Sequence, residues 1–199
     1  MKKLSFILIL FLVFFKTSFV SGYDSDPQRF VNELIADVIS KLSDNNFTKE
    51  EKKEFIEKIA LENVDINALG LYTLGDLRKT VKKNDLKEYQ QAFEKYFLKS
   101  LTSRLEDYSS NQFKVIGSDK KSPNYTIVNS KIEGNGNQPE IKIDWRIYTK
   151  NPDKPLIRDL IVEGLSLART QKEEFSSILN SNNNEIRYLI SKLKEFNNN

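Results

Sequence analysis

Hydrophobic positions in the N-terminal half of the chain recur at helical spacing. Asp26 stands as an N-cap with Pro27 at the first helical position, and Phe30, Val31, Leu34, Ile35, Val38 and Leu42 predict a helix to about residue 43. Thr48 and Glu51 form a capping box that opens a second helix, with an apolar face of Phe55, Ile56 and Ile59. Between residues 64 and 83, Gly70 and Gly75 cut the apolar run Ala68 to Leu77 into short turns. Asn84 or Asp85 then caps the longest helix, whose stripe Tyr89, Phe93, Phe97, Leu101, Leu105 and Tyr108 steps by four, then three.

From Gln112 the period changes to two, predicting four strands at about 112–118, 124–133, 139–149 and 156–163. In the third, Ile141, Ile143, Trp145 and Ile147 share one face, and Lys142, Asp144, Arg146 and Tyr148 share the other. Turn residues join the strands at Asp119 to Pro123, at Gly134 to Asn137 and at Asn151 to Pro155. Links this short imply an antiparallel meander. Helical spacing returns from Ser166 to Leu179 and from about Glu185 to Phe196. The expected fold is α+β, a twisted four-stranded antiparallel meander with N-terminal and C-terminal helices packed on one face around an apolar pocket.

The first residues read differently. Lys2 and Lys3 precede an apolar run from Leu4 to Phe15, Lys16 interrupts it, and Val20-Ser21-Gly22 offers small residues before Tyr23. That is the layout of a secretory signal peptide. As a helix the twelve-residue run would rise about 18 Å, short of the roughly 30 Å hydrocarbon layer, which disfavours the alternative of an uncleaved anchor. The expected division is a signal peptide over residues 1–22, one domain over 23–196 and a disordered tail at 197–199. Lys2, Lys3 and Lys16 account for the whole formal charge of +3, so the remainder is balanced. A balanced surface gives no support for bulk nucleic-acid binding. Export without cysteine fits a periplasm, where disulfides are permitted but not required.

The chain has no His and no Cys, which excludes a Ser-His-Asp triad, an ordinary zinc site and thiol chemistry. Gly164-Leu165-Ser166 approaches a nucleophile elbow but ends on Ala168, so Ser166 reads as a helix N-cap. Gly134-x-Gly136 lacks a third glycine and a following helix, and reads as a hairpin turn. Asp144 and Asp159 read as partners for Arg146 and Arg158 rather than as paired catalytic carboxylates. No catalytic or metal-binding residues and no cofactor are expected. The positive signal is apolar and aromatic, with the 84–108 helix facing the Ile/Trp strand. Periodicity alone does not separate a closed core from a cavity there.

From about residue 63 to 193 the chain resembles the MlaC-type, toluene-tolerance family of periplasmic phospholipid-binding proteins. The resemblance is carried by Val162-Glu163-Gly164-Leu165-Ser166-Leu167, by Thr170-Gln171-Lys172-Glu173-Glu174-Phe175, and by Ile143-Asp144-Trp145-Arg146. Tyr72-Thr73-Leu74-Gly75, Leu105-Glu106-Asp107-Tyr108 and Val128-x-Ser130-x-Ile132 add to it in matching order. Two stretches depart from the pattern. Asp76-Leu77-Arg78 replaces an aromatic-rich segment, and Asn182-Asn183-Asn184 replaces glycines between the last two helices. Asn tolerates the left-handed conformation, so the second change keeps the fold.

The resemblance implies a non-enzymatic, monomeric periplasmic carrier. It would hold phospholipid and dock transiently with an outer-membrane lipoprotein complex and an inner-membrane ABC transporter bearing an MCE-domain subunit, maintaining outer-membrane lipid asymmetry. The expected pocket takes Val115, Val128, Ile132, Ile143, Trp145, Ile147, Leu160 and Val162 from the strands. Leu74, Phe93, Phe97, Leu101 and Phe175 come from the helices. A pocket of such residues would not read headgroup chemistry, so broad phospholipid acceptance is expected. Rival readings are a binding module for another apolar ligand, a structural partner of a membrane complex, and a lipid hydrolase using Ser166.

Overall fold

A computed structural model describes residues 22–105, 113–134 and 139–198. The predicted signal segment lies outside the described residues, apart from Gly22, as do Tyr108, Gln112 and the Asn135–Asn137 part of the second turn. Four helices come first: α1 (Pro27–Ser43), α2 (Lys49–Asn63), α3 (Ile66–Thr73) and, after a 3-10 turn at Gly75–Lys79, α4 (Lys83–Leu105). Five strands follow, β1 (Phe113–Ser122), β2 (Tyr125–Ile132), β3 (Ile141–Tyr148), β4 (Leu156–Val162) and β5 (Leu165–Ser166), then α5 (Leu167–Asn180) and α6 (Ile186–Asn198).

The predicted N-caps of α1 and α2 form. The Asp26 carboxylate accepts from the Gln28 and Arg29 amides, and Thr48 and Glu51 close a reciprocal capping box. Residues 66–73 make a regular eight-residue helix rather than loose turns, because Gly70 sits where α3 crosses α4. A Cβ there would stand 2.8 Å from Phe93 Cδ1, so only glycine permits the approach. The longest helix starts at Lys83, with the Leu86 amide bonded to the Lys82 carbonyl, which places Asn84 and Asp85 inside the first turn rather than at the cap. At the other end α6 continues through Asn197, whose amide Nδ2 donates to the Ala92 carbonyl of α4. That bond carries the helix past Phe196, into the segment expected as tail.

The strands form one antiparallel sheet in the order β1-β2-β3-β4-β5. The fifth, absent from the four-strand expectation, arises because Glu163 and Gly164 both take positive φ (49° and 81°). The two-residue turn folds Leu165 back onto Val162. The first strand runs four residues further than expected, to Ser122, and leaves Pro123-Asn124 as the turn. Asn183 and Asn184 are left-handed, with φ of 55° and 58°, in the place of the missing glycines.

Two cores close separately. Phe30, Val31 and Leu34 of α1 pack on Val128, Trp145, Ile147 and Ile157 of the sheet. The second is helical and is built around Tyr89 and Phe93 of α4, Phe175 and Leu179 of α5 and Leu189, Ile190 and Leu193 of α6. Its centre is a chain of ring contacts: Phe93 lies 5.9 Å from Tyr89 and 6.2 Å from Phe175, centroid to centroid. Tyr89 is fully buried; the Thr73 hydroxyl donates to the Gly70 carbonyl, and the Tyr89 hydroxyl donates to Thr73 at 2.7 Å. The α4 aromatics thus pair with α5 and α6, not with the Ile/Trp strand, whose Trp145 meets Phe113 edge-on at 6.1 Å.

Candidate functional site

Between the two cores lies a cavity of about 440 Å³, within the range of small-molecule pockets. One wall is the inner face of the sheet, with Ile132, Ile143, Trp145, Leu160 and Val162 in paired register: Ile143 opposes Val162, and Trp145 opposes Leu160. The opposite wall is the second half of α4, where Phe93, Phe97, Leu101 and Leu105 recur at spacing of four. Leu34, Ile35, Val38 and Ile39 of α1 and Ile56, Ile59 and Ala60 of α2 close a third side. The first turns of α5 form the fourth, from Leu167 to Glu174.

Leu34, Phe93, Trp145 and Ile157 are buried core residues that also reach the cavity, and exposure sets much of the remaining lining apart. Ile35, Val38, Ile59, Phe97, Leu101, Ile132, Ile143, Leu160 and Val162 are half-buried, whereas residues of the two cores are buried. Each presents one side to packed neighbours and the other to empty space. A closed core would not leave so many large side chains part-covered on facing elements.

Of the thirteen expected pocket residues, Phe93, Phe97, Leu101, Ile132, Ile143, Trp145, Leu160 and Val162 stand in this wall. The other five do not. Val128 and Ile147 are fully covered by α1, Val115 packs beside them, and Leu74 and Phe175 belong to the helical core. The reason is that α1 lies over β1 and β2 and covers the end of the inner face that holds Val128 and Ile147, so that face is core at one end and cavity at the other. The α1 and α2 contributions were missed, although both apolar stripes are plain in the sequence. A stripe read as core on its own element carries no mark of what it faces.

Polar atoms in the wall are mostly spent on structure. The Trp145 indole N–H donates to Ser130 Oγ at 2.9 Å, and the Ser130 hydroxyl donates to the Ile143 carbonyl at 2.8 Å. Arg158 pairs with Asp65 at 2.8 Å and stacks on the Tyr148 ring at 3.5 Å. Of the two aspartates expected as partners for Arg146 and Arg158, Asp159 pairs with Arg146 at 3.2 Å, whereas Asp144 takes Asn129 and Arg158 takes Asp65. Ser166 caps α5, accepting from the Arg169 amide at 3.0 Å while donating to Asp159 at 2.6 Å. Its hydroxyl proton is therefore committed to a buried carboxylate in a structural role. Among the described residues no helix is long and apolar enough to cross a membrane.

The family model for MlaC proteins matches residues 28–195. A phospholipid-binding protein from Ralstonia solanacearum, solved in complex with a phospholipid, superposes with a TM-score of 0.71 at 16% identity. The match covers 85% of this chain and 96% of that one, and it shows that the two share a fold. No curated protein matches the chain.

Proposed function

The chain belongs to the MlaC family, and from that premise we propose that it is a phospholipid carrier of the periplasm. It is delivered there by its N-terminal signal segment and passes lipid between an outer-membrane lipoprotein complex and an inner-membrane MCE-domain transporter. It works by binding and release, without chemistry on the lipid. The observation that carries this reading is the cavity walled by Trp145 and by half-buried Ile, Leu and Phe side chains on facing elements.

The energetics explain why such a wall suits a carrier. Moving a methylene from hydrocarbon to water costs about 0.8 kcal/mol, so a chain of about 15 methylenes costs roughly 12 kcal/mol to expose. Headgroup contacts made in water do not approach that figure, because each replaces a bond to solvent. A carrier must therefore cover the acyl chains and can leave the headgroup at the mouth. Acceptance of several phospholipid classes follows from that division of labour.

The deciding experiment is native mass spectrometry of protein released from a periplasmic extract without detergent, followed by lipid extraction. A stoichiometric added mass that extracts as diacyl phospholipid is the expected result. A bare protein mass, unchanged after incubation with liposomes, overturns the proposal. An added mass from a different apolar compound would leave the cavity reading but replace the ligand.

A further inference from the structure

The cavity wall carries one polar ridge, on α4. Tyr96, Ser100 and Arg104 follow one another at spacing of four on α4, which sets them on a single ridge. Tyr96 shows where that ridge points. Its hydroxyl donates to Gln171 Oε1 at 3.0 Å, and its ring lies 5.8 Å from Phe175, both on α5. Ser100 and Arg104 continue that ridge toward the C-terminal end of α4, and both line the cavity.

These two differ from the other polar groups of the wall. Arg158 and Asp159 have salt-bridge partners, and the Asn63 amide donates to the Ile59 carbonyl. Among the described residues neither the Ser100 hydroxyl nor the Arg104 guanidinium has a hydrogen-bond or ion-pair partner, and Arg104 is exposed. The carboxylate that lines the same cavity, Glu174, is held by Gln171 Nε2 at 2.9 Å. Gln171 lies beside Tyr96, two helical turns and about 12 Å along α4 from Arg104, and no ion pair joins Glu174 to Arg104. A free guanidinium and a free hydroxyl one turn apart thus stand where an apolar cavity meets water.

We propose that Ser100 and Arg104 bind the phosphate of the lipid, so that its headgroup leaves the cavity beside the C-terminal turns of α4. This rests on the carrier reading and adds an orientation to it. Guanidinium nitrogens donate to two oxygens of a phosphodiester at once, and the Ser100 hydroxyl donates to a third position one turn deeper. The ligand class recognised is then a diacyl phosphodiester, not any diacyl lipid. The phosphate is common to phospholipid classes, so acceptance stays broad while lipids without phosphate are disfavoured.

The test loads delipidated full chain from vesicles holding equal amounts of a phosphatidylglycerol and the diacylglycerol with the same acyl chains, then quantifies what is extracted. The wild-type protein is expected to enrich the phospholipid roughly tenfold, the size of one charge-assisted contact. Arg104→Gln should bring the ratio close to that of the vesicles, Arg104→Lys should retain part of the enrichment, and Ser100→Ala should cost about twofold. A thermal melt of each variant confirms the fold. An Arg104→Gln ratio equal to wild type overturns the phosphate site while the carrier reading stands. Failure of the wild-type chain to take up either lipid overturns both. Loss of the enrichment on adding excess inorganic phosphate to vesicle-loaded protein, with inorganic phosphate itself bound, assigns the site to the free ion and overturns the headgroup reading.

Discussion

Asp159 of β4 accepts the backbone N–H of Ala168, in the first turn of α5, through Oδ1 at 2.9 Å. Its Oδ2 takes the Ser166 hydroxyl and Arg146 Nη1, so one buried carboxylate fastens α5 to the sheet beside the cavity. Removing it strands a buried amide and half of an ion pair. Asp159→Ala should lower stability by about 2–3 kcal/mol. Ser166→Ala, which loses the cap and one donor to the carboxylate but leaves Ala168 and Arg146 bound to it, should cost about 1–2 kcal/mol. Urea midpoints at constant slope measure both. Equal costs for the two variants would show that the carboxylate acts only through the cap.

Cavity volume should control lipid retention. Val38→Trp on α1 and Leu101→Trp on α4 each place an indole into the empty space from a half-buried position. Both should reduce phospholipid recovered with the purified protein by more than half while leaving the melting temperature within a few degrees. Val128→Trp behaves differently, because Val128 is fully covered by α1. Overpacking there should cost about 1–3 kcal/mol. Full retention in both cavity variants would refute the assignment of the wall.

Trp145, the single tryptophan, is a built-in reporter. Its ring lines the cavity and its N–H is satisfied by Ser130. Filling the cavity with acyl chain should shift its emission to shorter wavelength, and delipidation should reverse the change. Ser130→Ala leaves the buried indole N–H without its partner and should destabilise by about 1–3 kcal/mol. An emission spectrum that ignores lipid content would place the ligand elsewhere.

Alkaline stability should depend on Tyr89. Burial is the main cause that raises its phenol well above the ordinary value of 10.0. A raised folded-state value means that the neutral phenol's contribution is fully present below pH 10.0 and is lost as pH rises through the folded value. Tyr89→Phe removes the ionisable group, so its stability profile above pH 10.0 should fall less steeply than that of wild type. Parallel slopes in denaturation across that range would count against the burial argument.

Periodicity carried most of the fold. The capping box at Thr48 and Glu51, the stripe from Phe30 to Leu42 and the alternation from Ile141 to Ile147 each depend on near neighbours, and each is found where the pattern placed it. The fifth strand was less legible, because it turns on Glu163 taking a positive φ that its residue type does not announce. The site was legible in part. Period two fixes which residues share the inner face of β2, but not that α1 covers Val128 and stops short of Ile132. Phe175 shows the same limit on α5, where it fills the ring cluster around Phe93 while Gln171, one turn earlier, reaches the cavity. Which part of an apolar face meets a neighbour is decided by helix crossings, and those are set by pairs such as Gly70 and Phe93 that lie far apart in the chain.

The separation of the two cores has a consequence for turnover. The α1–sheet core and the ring cluster of α4, α5 and α6 each bury their own set of side chains, and Leu34, Phe93, Trp145 and Ile157 also reach the cavity. Under the proposed carrier role, a cargo would rest on the outer surface of two packed cores. Its release would then leave the wall held by the same contacts that hold the fold.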